Sequence, residues 1–396
     1  MRKRIEYCFL TIFPAIYFSF SACGQAIEKN VAWQGLLQRH EEYIKIKNLL
    51  QSEFPARRNL PEVKFYLFGM GPRTKLIYKD GALKEALSGK VVRQWKAASE
   101  QIMPSEYAVL IGTDDKRSVL IQEDEKGIRI EEDGRIEYLS ENPVRLPDFA
   151  GKKYAPVLRV LHQELLVDII HGFPVPNYLV YKKPWYRDGA QVCRCLAMTG
   201  NLPLVRDWIM SLSEPCDRNA HHDEPDNLGE ALYIISLVSD SSHSLVAKIM
   251  EKLPGFKREK YIVGLTDGSD HPVFQTKWLK YGLKCLGLPD PYEIPAMDDY
   301  YSSLFWMDYR DKGIRSFHVS SPDSLYPYLG WARAHFFGDK AGCISANLDY
   351  PLTWETEASE AEYQGMAPVS ERYTGIKTCV PHSWHSAEMF LYLMEF

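Results

Sequence analysis

The stretch Lys183-Pro184-Trp185-Tyr186-Arg187-Asp188-Gly189-Ala190 runs into an apolar segment at 192–198 and is closed by Thr199-Gly200-Asn201. Apolar residues at helical spacing, ended by Gly-Asn, predict a helix with an aromatic and charged entrance. An Asp near a helix start is placed to meet backbone N–H groups, and a carboxylate beside a guanidinium makes charged, directional bonds to hydroxyl groups. Outward from this point the same period recurs. Val157, Leu158, Leu161, Leu165 and Ile169 form a stripe before it, and apolar runs at 204–212, 228–237, 245–253, 276–286, 325–337 and 386–394 follow. Short turns at Gly200-Asn201 and 239–244 alternate with long polar, aromatic or proline-rich stretches at 217–225 and 350–381. Antiparallel hairpins joined that way make a helical ring with its long loops on one face. No strand alternation is read after about Tyr154, and the helices are fewer than a complete ring needs, so a shortened or incomplete ring is expected.

Upstream the pattern is different. Residues 31–50 place Trp33, Leu36, Leu37, Ile44 and Leu50 at helical spacing, and short aromatic or β-branched runs then follow at 63–68, 74–78, 107–111, 118–121, 128–130 and 136–138. Asp80-Gly81, Asp114-Asp115 and Asp133-Gly134 read as turns between them, predicting a small meander or sandwich that ends near Asn142-Pro143 and Leu146-Pro147. The chain opens with Met1-Arg2-Lys3-Arg4 and an apolar stretch at 7–22, the pattern of a signal peptide, too short to stay as a membrane span. It ends in Phe20-Ser21-Ala22-Cys23, which resembles the lipobox of bacterial lipoproteins and implies acylation of Cys23. The expected organisation is therefore a leader at 1–22, an N-terminal helix and β-rich domain at 23–150, and a mainly α region with an α/α toroid at 151–396. The net charge of −5 comes without a basic cluster interleaved with aromatics, which argues against nucleic acid as a partner. Cys193 and Cys195 point to different faces of one helix, and no C-x-x-C spacing occurs, so the later cysteines read as buried thiols and no metal or cofactor is expected.

The segment from Trp185 to Ala190 resembles the W-x-R-D-x-A stretch of glucoamylase-like six-hairpin glycosidases. The resemblance implies that Arg187 and Asp188, with Trp185, bind hydroxyls of the terminal sugar. Glu224-Pro225-Asp226-Asn227-Leu228-Gly229 is similar to an acidic Asp-x-x-Gly stretch in bacterial members, which puts Glu224 and Asp226 on the substrate face. His221-His222 in the preceding loop read as a solvated or sugar-contacting loop rather than metal ligands. Asp267, in Thr266-Asp267-Gly268-Ser269-Asp270-His271, falls nearest the family's general acid, with Asp270 as the alternative, although the family residue is a Glu after Trp. The acid-rich stretch Trp354-Glu355-Thr356-Glu357 precedes the last Trp-bearing helix, where members hold the general base. Glu355 or Glu357 is expected in that role, with Trp354 and His385 beside the sugar.

An inverting glycosidase needs an acid for the leaving oxygen and a carboxylate for water, about 6.5–9.5 Å apart. The chain thus reads as an exported, lipid-anchored glycoside hydrolase of the bacterial cell envelope. Its expected partners are an oligo- or polysaccharide and, through the anchor alone, a membrane. Two rival readings are a glycan-binding lipoprotein without catalysis and a polysaccharide lyase on a similar ring, which would lean on Tyr186, His222 and His385.

Overall fold

The computed structural model describes residues 31–53, 60–297, 299, 301, 348–358 and 360–396. The leader with Cys23, the helix expected at 325–337 and Cys343 lie outside the described residues. Strands are concentrated in the N-terminal half and helices dominate the C-terminal half, so the chain is mixed α/β.

Helix α1 (Val31–Glu53) is followed by two meanders. Strands β1 (Tyr66–Phe68), β2 (Leu76–Lys79), β3 (Ala82–Glu85) and β4 (Val91–Gln94) form one antiparallel sheet in sequential order. Strands β5 (Ala97–Met103), β6 (Ala108–Thr113), β7 (Ser118–Glu123), β8 (Gly127–Glu132) and β9 (Arg135–Glu141) form the second. The period-2 alternation sorts side chains between two cores. Val109, Ile111, Val119 and Ile121 pack with Tyr66, Phe68, Leu76 and Tyr78 between the sheets. Ala108, Leu110 and Leu120 point the other way, against Trp33 and Leu36 of α1. Strand β6 is thus buried on both faces, which is why its sequence reads as an unbroken apolar run. Strands β3, β4 and β5 escape the sequence reading: ALKE has only Ala82 and Leu83 buried and is too short to show a period, and VVRQ and AASEQIM are mostly exposed and carry no alternating apolar face.

The principal helices after residue 150 are α2 (Ala155–Val167), α3 (Tyr186–Met198), α4 (Asp226–Ser236), α5 (Pro272–Cys285) and α6 (Ser383–Leu393). Each packs against the next in the spatial order α2, α6, α3, α4, α5, so the C-terminal helix inserts between the first two. Helices α4 and α5 approach closely because each offers a glycine. A Cβ on Gly229 would lie 2.2 Å from the Trp278 carbonyl carbon, and one on Gly282 would lie 2.5 Å from the Gly229 oxygen. The described helices form an arc, and no closed toroid is seen among the described residues. One apolar cluster joins the arc to the first sheet, with Phe65, Leu67, Met70 and Ile77 sharing it with Leu158, Leu161 and Leu165.

Strand pairing does return after Tyr154, as two-residue ribbons. Ile169–Ile170 pairs with Phe173–Pro174, Leu265–Thr266 with Ser269–Asp270, and Glu355–Thr356 with Thr378–Cys379. Ile169 therefore belongs to a ribbon rather than to the helical stripe that ends at Val167. Pairs this short cannot show a period in sequence. The tips of two of them, His171-Gly172 and Asp267-Gly268, carry positive φ at both residues, +49° and +81° in the first and +47° and +79° in the second, as a two-residue hairpin requires.

Candidate functional site

Helix α3 begins at Tyr186, and its first turn sets Arg187 and Asp188 side by side. Neither residue caps the helix. The Tyr186 N–H donates to Asp217 Oδ2 at 2.7 Å, so the cap comes from another loop. The expectation that backbone N–H groups hold Asp188 is corrected accordingly: Asp188 Oδ1 is buried and accepts no hydrogen bond.

Arg187 is the hub of one half of the site. Its Nε donates to Asp226 Oδ2 at 2.9 Å, its Nη1 to Asp267 Oδ2 at 2.8 Å, and its Nη2 forms an ion pair with Glu224 Oε2 at 3.1 Å. The guanidinium lies 5.5 Å from the Trp384 ring centre. Asp226, in the first turn of α4, accepts a further bond from Thr266 Oγ1 at 2.6 Å, and the Asp267 N–H donates to Glu224 Oε1 at 2.9 Å. The hydroxyl of Tyr301 donates to Asp267 Oδ2. The left-handed turn at Asp267 is what aims this carboxylate down at Arg187 from the hairpin tip.

His382 is the hub of the other half. Its Nε2 lies 2.6 Å from Glu355 Oε2 and 3.9 Å from Asp188 Oδ1. Glu355 and Cys379 face each other across the short ribbon, and the Cys379 thiol donates to the Glu355 carbonyl. One turn beyond His382, His385 shares a 2.7 Å hydrogen bond from Nδ1 to the Trp354 carbonyl. Because a carbonyl only accepts, the proton sits on Nδ1. Trp185 is buried edge-on against Tyr181, whose ring in turn meets His382 edge-on.

The acidic stretch reaches this place through a buried clamp. Glu164 of α2 accepts from the Leu352 N–H at 2.5 Å, and from Thr353 Oγ1 and Ser386 Oγ, each at 2.9 Å. The Leu67 N–H donates to the Tyr350 hydroxyl, tying the same segment to β1. Residues 350–353 are therefore fixed at both sheet and helix before the chain reaches Glu355.

Charge follows geometry. Burial pushes the Asp188 carboxyl up to about 7, with Glu355 adding to the effect and His382 and Arg187 opposing it. Burial also raises Glu224 against the pull of Arg187. Burial works the same way on Asp267, but Arg187 and the Tyr301 hydroxyl outweigh it and hold the carboxyl below its usual range. At Glu355 burial is likewise outweighed, here by His382, and the carboxyl is lowered. His382 shows the reciprocal effect: burial lowers it, Glu355 outweighs that, and the imidazole is raised. Burial, then His382, push His385 down to about 4. Glu355 also lies in the electrostatic field of Asp267, which links the two halves.

Of the residues the sequence singles out, Arg187, Asp188, Glu224, Asp226, Asp267, Glu355 and His385 come together, with Trp185 and Trp354 at the margin. Glu357 stands apart. It is exposed at positive φ, its N–H donates to the Lys377 carbonyl, and its carboxylate makes no ion pair among the described residues. Asp270 is exposed on the far strand of the hairpin. His221 and His222 do not converge: the first meets Glu360 and the second the Ala220 carbonyl. Sequence reasoning missed His382 as a partner of Glu355, Tyr301, Asp217 and the clamp residue Glu164. Only Glu164 left a trace, as a carboxylate inside the apolar stripe of α2.

Comparison with protein-family models, with curated proteins and with solved structures finds no match. The functional reading therefore rests on the site itself.

Proposed function

We propose that this chain is a glycoside hydrolase that works through two carboxylates, with its helical arc a segment of an α/α toroid. One observation carries the reading. Asp267, held by Arg187, and Glu355, held by His382, come from separate ribbons with side chains 29% and 30% exposed, and each carboxylate lies in the other's electrostatic reach. Glu355, kept ionised by His382, is the carboxylate suited to draw a proton from water. Asp267 is the partner for the leaving oxygen. To donate a proton it must first exchange Arg187 for substrate hydroxyls, since the Arg187 contact keeps it ionised.

That same contact favours a second reading, a glycan-binding protein without turnover. It also weighs against a lyase, because a uronate carboxylate needs a cation and Arg187 already serves three carboxylates. A panel of neutral oligosaccharides incubated with the wild type and with Glu355→Gln separates the two. Cleavage by the wild type that falls by several orders of magnitude in the variant supports the hydrolase; binding without cleavage by the wild type supports the binding protein instead. Attachment to the cell envelope through acylated Cys23 is part of the same proposal.

A further inference from the structure

Cys379-Val380-Pro381-His382 is a C-x-x-H spacing, and the ribbon pairing sets Glu355 directly opposite Cys379. One ligand atom from each of Glu355, Cys379 and His382 lies within 4.8 Å of the others. Two further observations point inward. Asp188 Oδ1 has no hydrogen-bond partner, its residue is 4% exposed, and it lies 3.9 Å from His382 Nε2. His382 Nδ1 is likewise buried without a hydrogen-bond partner, so the imidazole is held through Nε2, by the 2.6 Å contact to Glu355.

We propose that Glu355, Cys379 and His382, with Asp188 as fourth ligand, form a binding site for a single zinc-class divalent cation. A thiolate, an imidazole and two carboxylates are a donor set that suits a borderline-soft ion and would not select magnesium or calcium. Ligands at about 2.0–2.3 Å from a tetrahedral ion lie roughly 3.3–3.8 Å apart, so Glu355, Cys379 and His382 need to close inward by only a small movement, while Asp188, 3.9 Å from His382 Nε2, has to swing in from outside that trio. The ion takes the place of two protons. It displaces the proton on His382 Nε2 that now bridges to Glu355, and the thiol proton of Cys379, leaving a neutral imidazole and a thiolate bound to a dication. Burial and Glu355 push the Cys379 thiol well up without an ion, so the thiolate forms as the cation enters.

The site shares Glu355 with the glycan reading, and a bound ion would take that carboxylate out of the base role, so the readout is binding rather than turnover and the two readings stand or fall separately. The test uses the full chain, reduced and chelator-treated, in a Cys285→Ser background that removes the thiol exposed among the described residues, titrated with Co2+. The expected result is about one ion per chain, with tetrahedral visible bands and a near-ultraviolet thiolate-to-cobalt band, both bleached by added Zn2+. Cys379→Ser should lose the near-ultraviolet band, and His382→Ala should weaken binding by more than about tenfold. Circular dichroism establishes that each variant is folded. Should Cys379→Ser not fold, Glu355→Gln decides: weakened binding supports the site and unchanged binding overturns it. A folded wild type that takes up no Co2+, or a charge-transfer band that persists in Cys379→Ser, also overturns it.

Discussion

Arg187 and Asp188 are adjacent in sequence yet serve different halves of the site, one facing Asp267 and the other facing His382 and Glu355. That division follows from the helix: neighbours in its first turn point about 100° apart. Because the W-x-R-D pattern is local, these two residues were legible in the sequence. His382 was not, since its importance comes from a partner 27 positions away in a ribbon that has no sequence signature. Glu355 and Glu357 looked equivalent in sequence, and the ribbon separates them by pairing the first and leaving the second in the following bend. If Asp267 serves the leaving group and Glu355 the water, their variants should respond differently to substrate. Asp267→Asn should lose turnover on natural glycosides by several orders of magnitude and much less on substrates with activated leaving groups, which need little protonation. Glu355→Gln should impair both alike. Steady-state rates on a matched substrate pair check this, and equal losses for Asp267→Asn on both would remove it from the acid role.

At the scale of elements, the position of Glu355 depends on the segment 350–353 and hence on Glu164. Burial lifts the Glu164 carboxyl from 4.5 to about 7, partly offset by its three donors. The folded state therefore holds this proton more tightly than the unfolded chain does. The corresponding stability is fully present below about pH 4.5 and is lost as pH rises through about 7, on the order of 2–3 kcal/mol across the window. Glu164→Gln should flatten that slope, so melting temperatures of wild type and variant, measured from pH 4.5 to 8, should converge at the acid end relative to the alkaline end. Parallel profiles would show that Glu164 does not carry the effect. The long helices and the apolar strands were readable because each repeats its period over several turns or pairs. The two-residue ribbons were not, although they hold Asp267 and Glu355 in place; the glycine-bearing tips His171-Gly172 and Asp267-Gly268 are the only local trace of the two ribbons they close.

For the whole molecule, composition and periodicity separated a β-rich first half from a helical second half, and the structure keeps that division. They did not foresee the spatial order of the arc, in which the last helix lies between the first two, because no local pattern encodes which hairpins become neighbours. The lipobox-like ending at Cys23 makes a separate prediction at this scale. Fatty-acid label supplied to bacterial cells should enter the wild type and be absent from Cys23→Ser, and equal labelling would refute acylation there. In the proposed reaction Asp267 and Glu355 together cleave a glycosidic bond with water entering opposite the leaving group. Its most direct test is the anomeric configuration of the first-formed sugar, followed by NMR from the moment enzyme meets substrate. The inverted anomer is expected at early times, relaxing slowly toward equilibrium; a retained anomer, or no released sugar from any substrate that binds, would contradict this reaction.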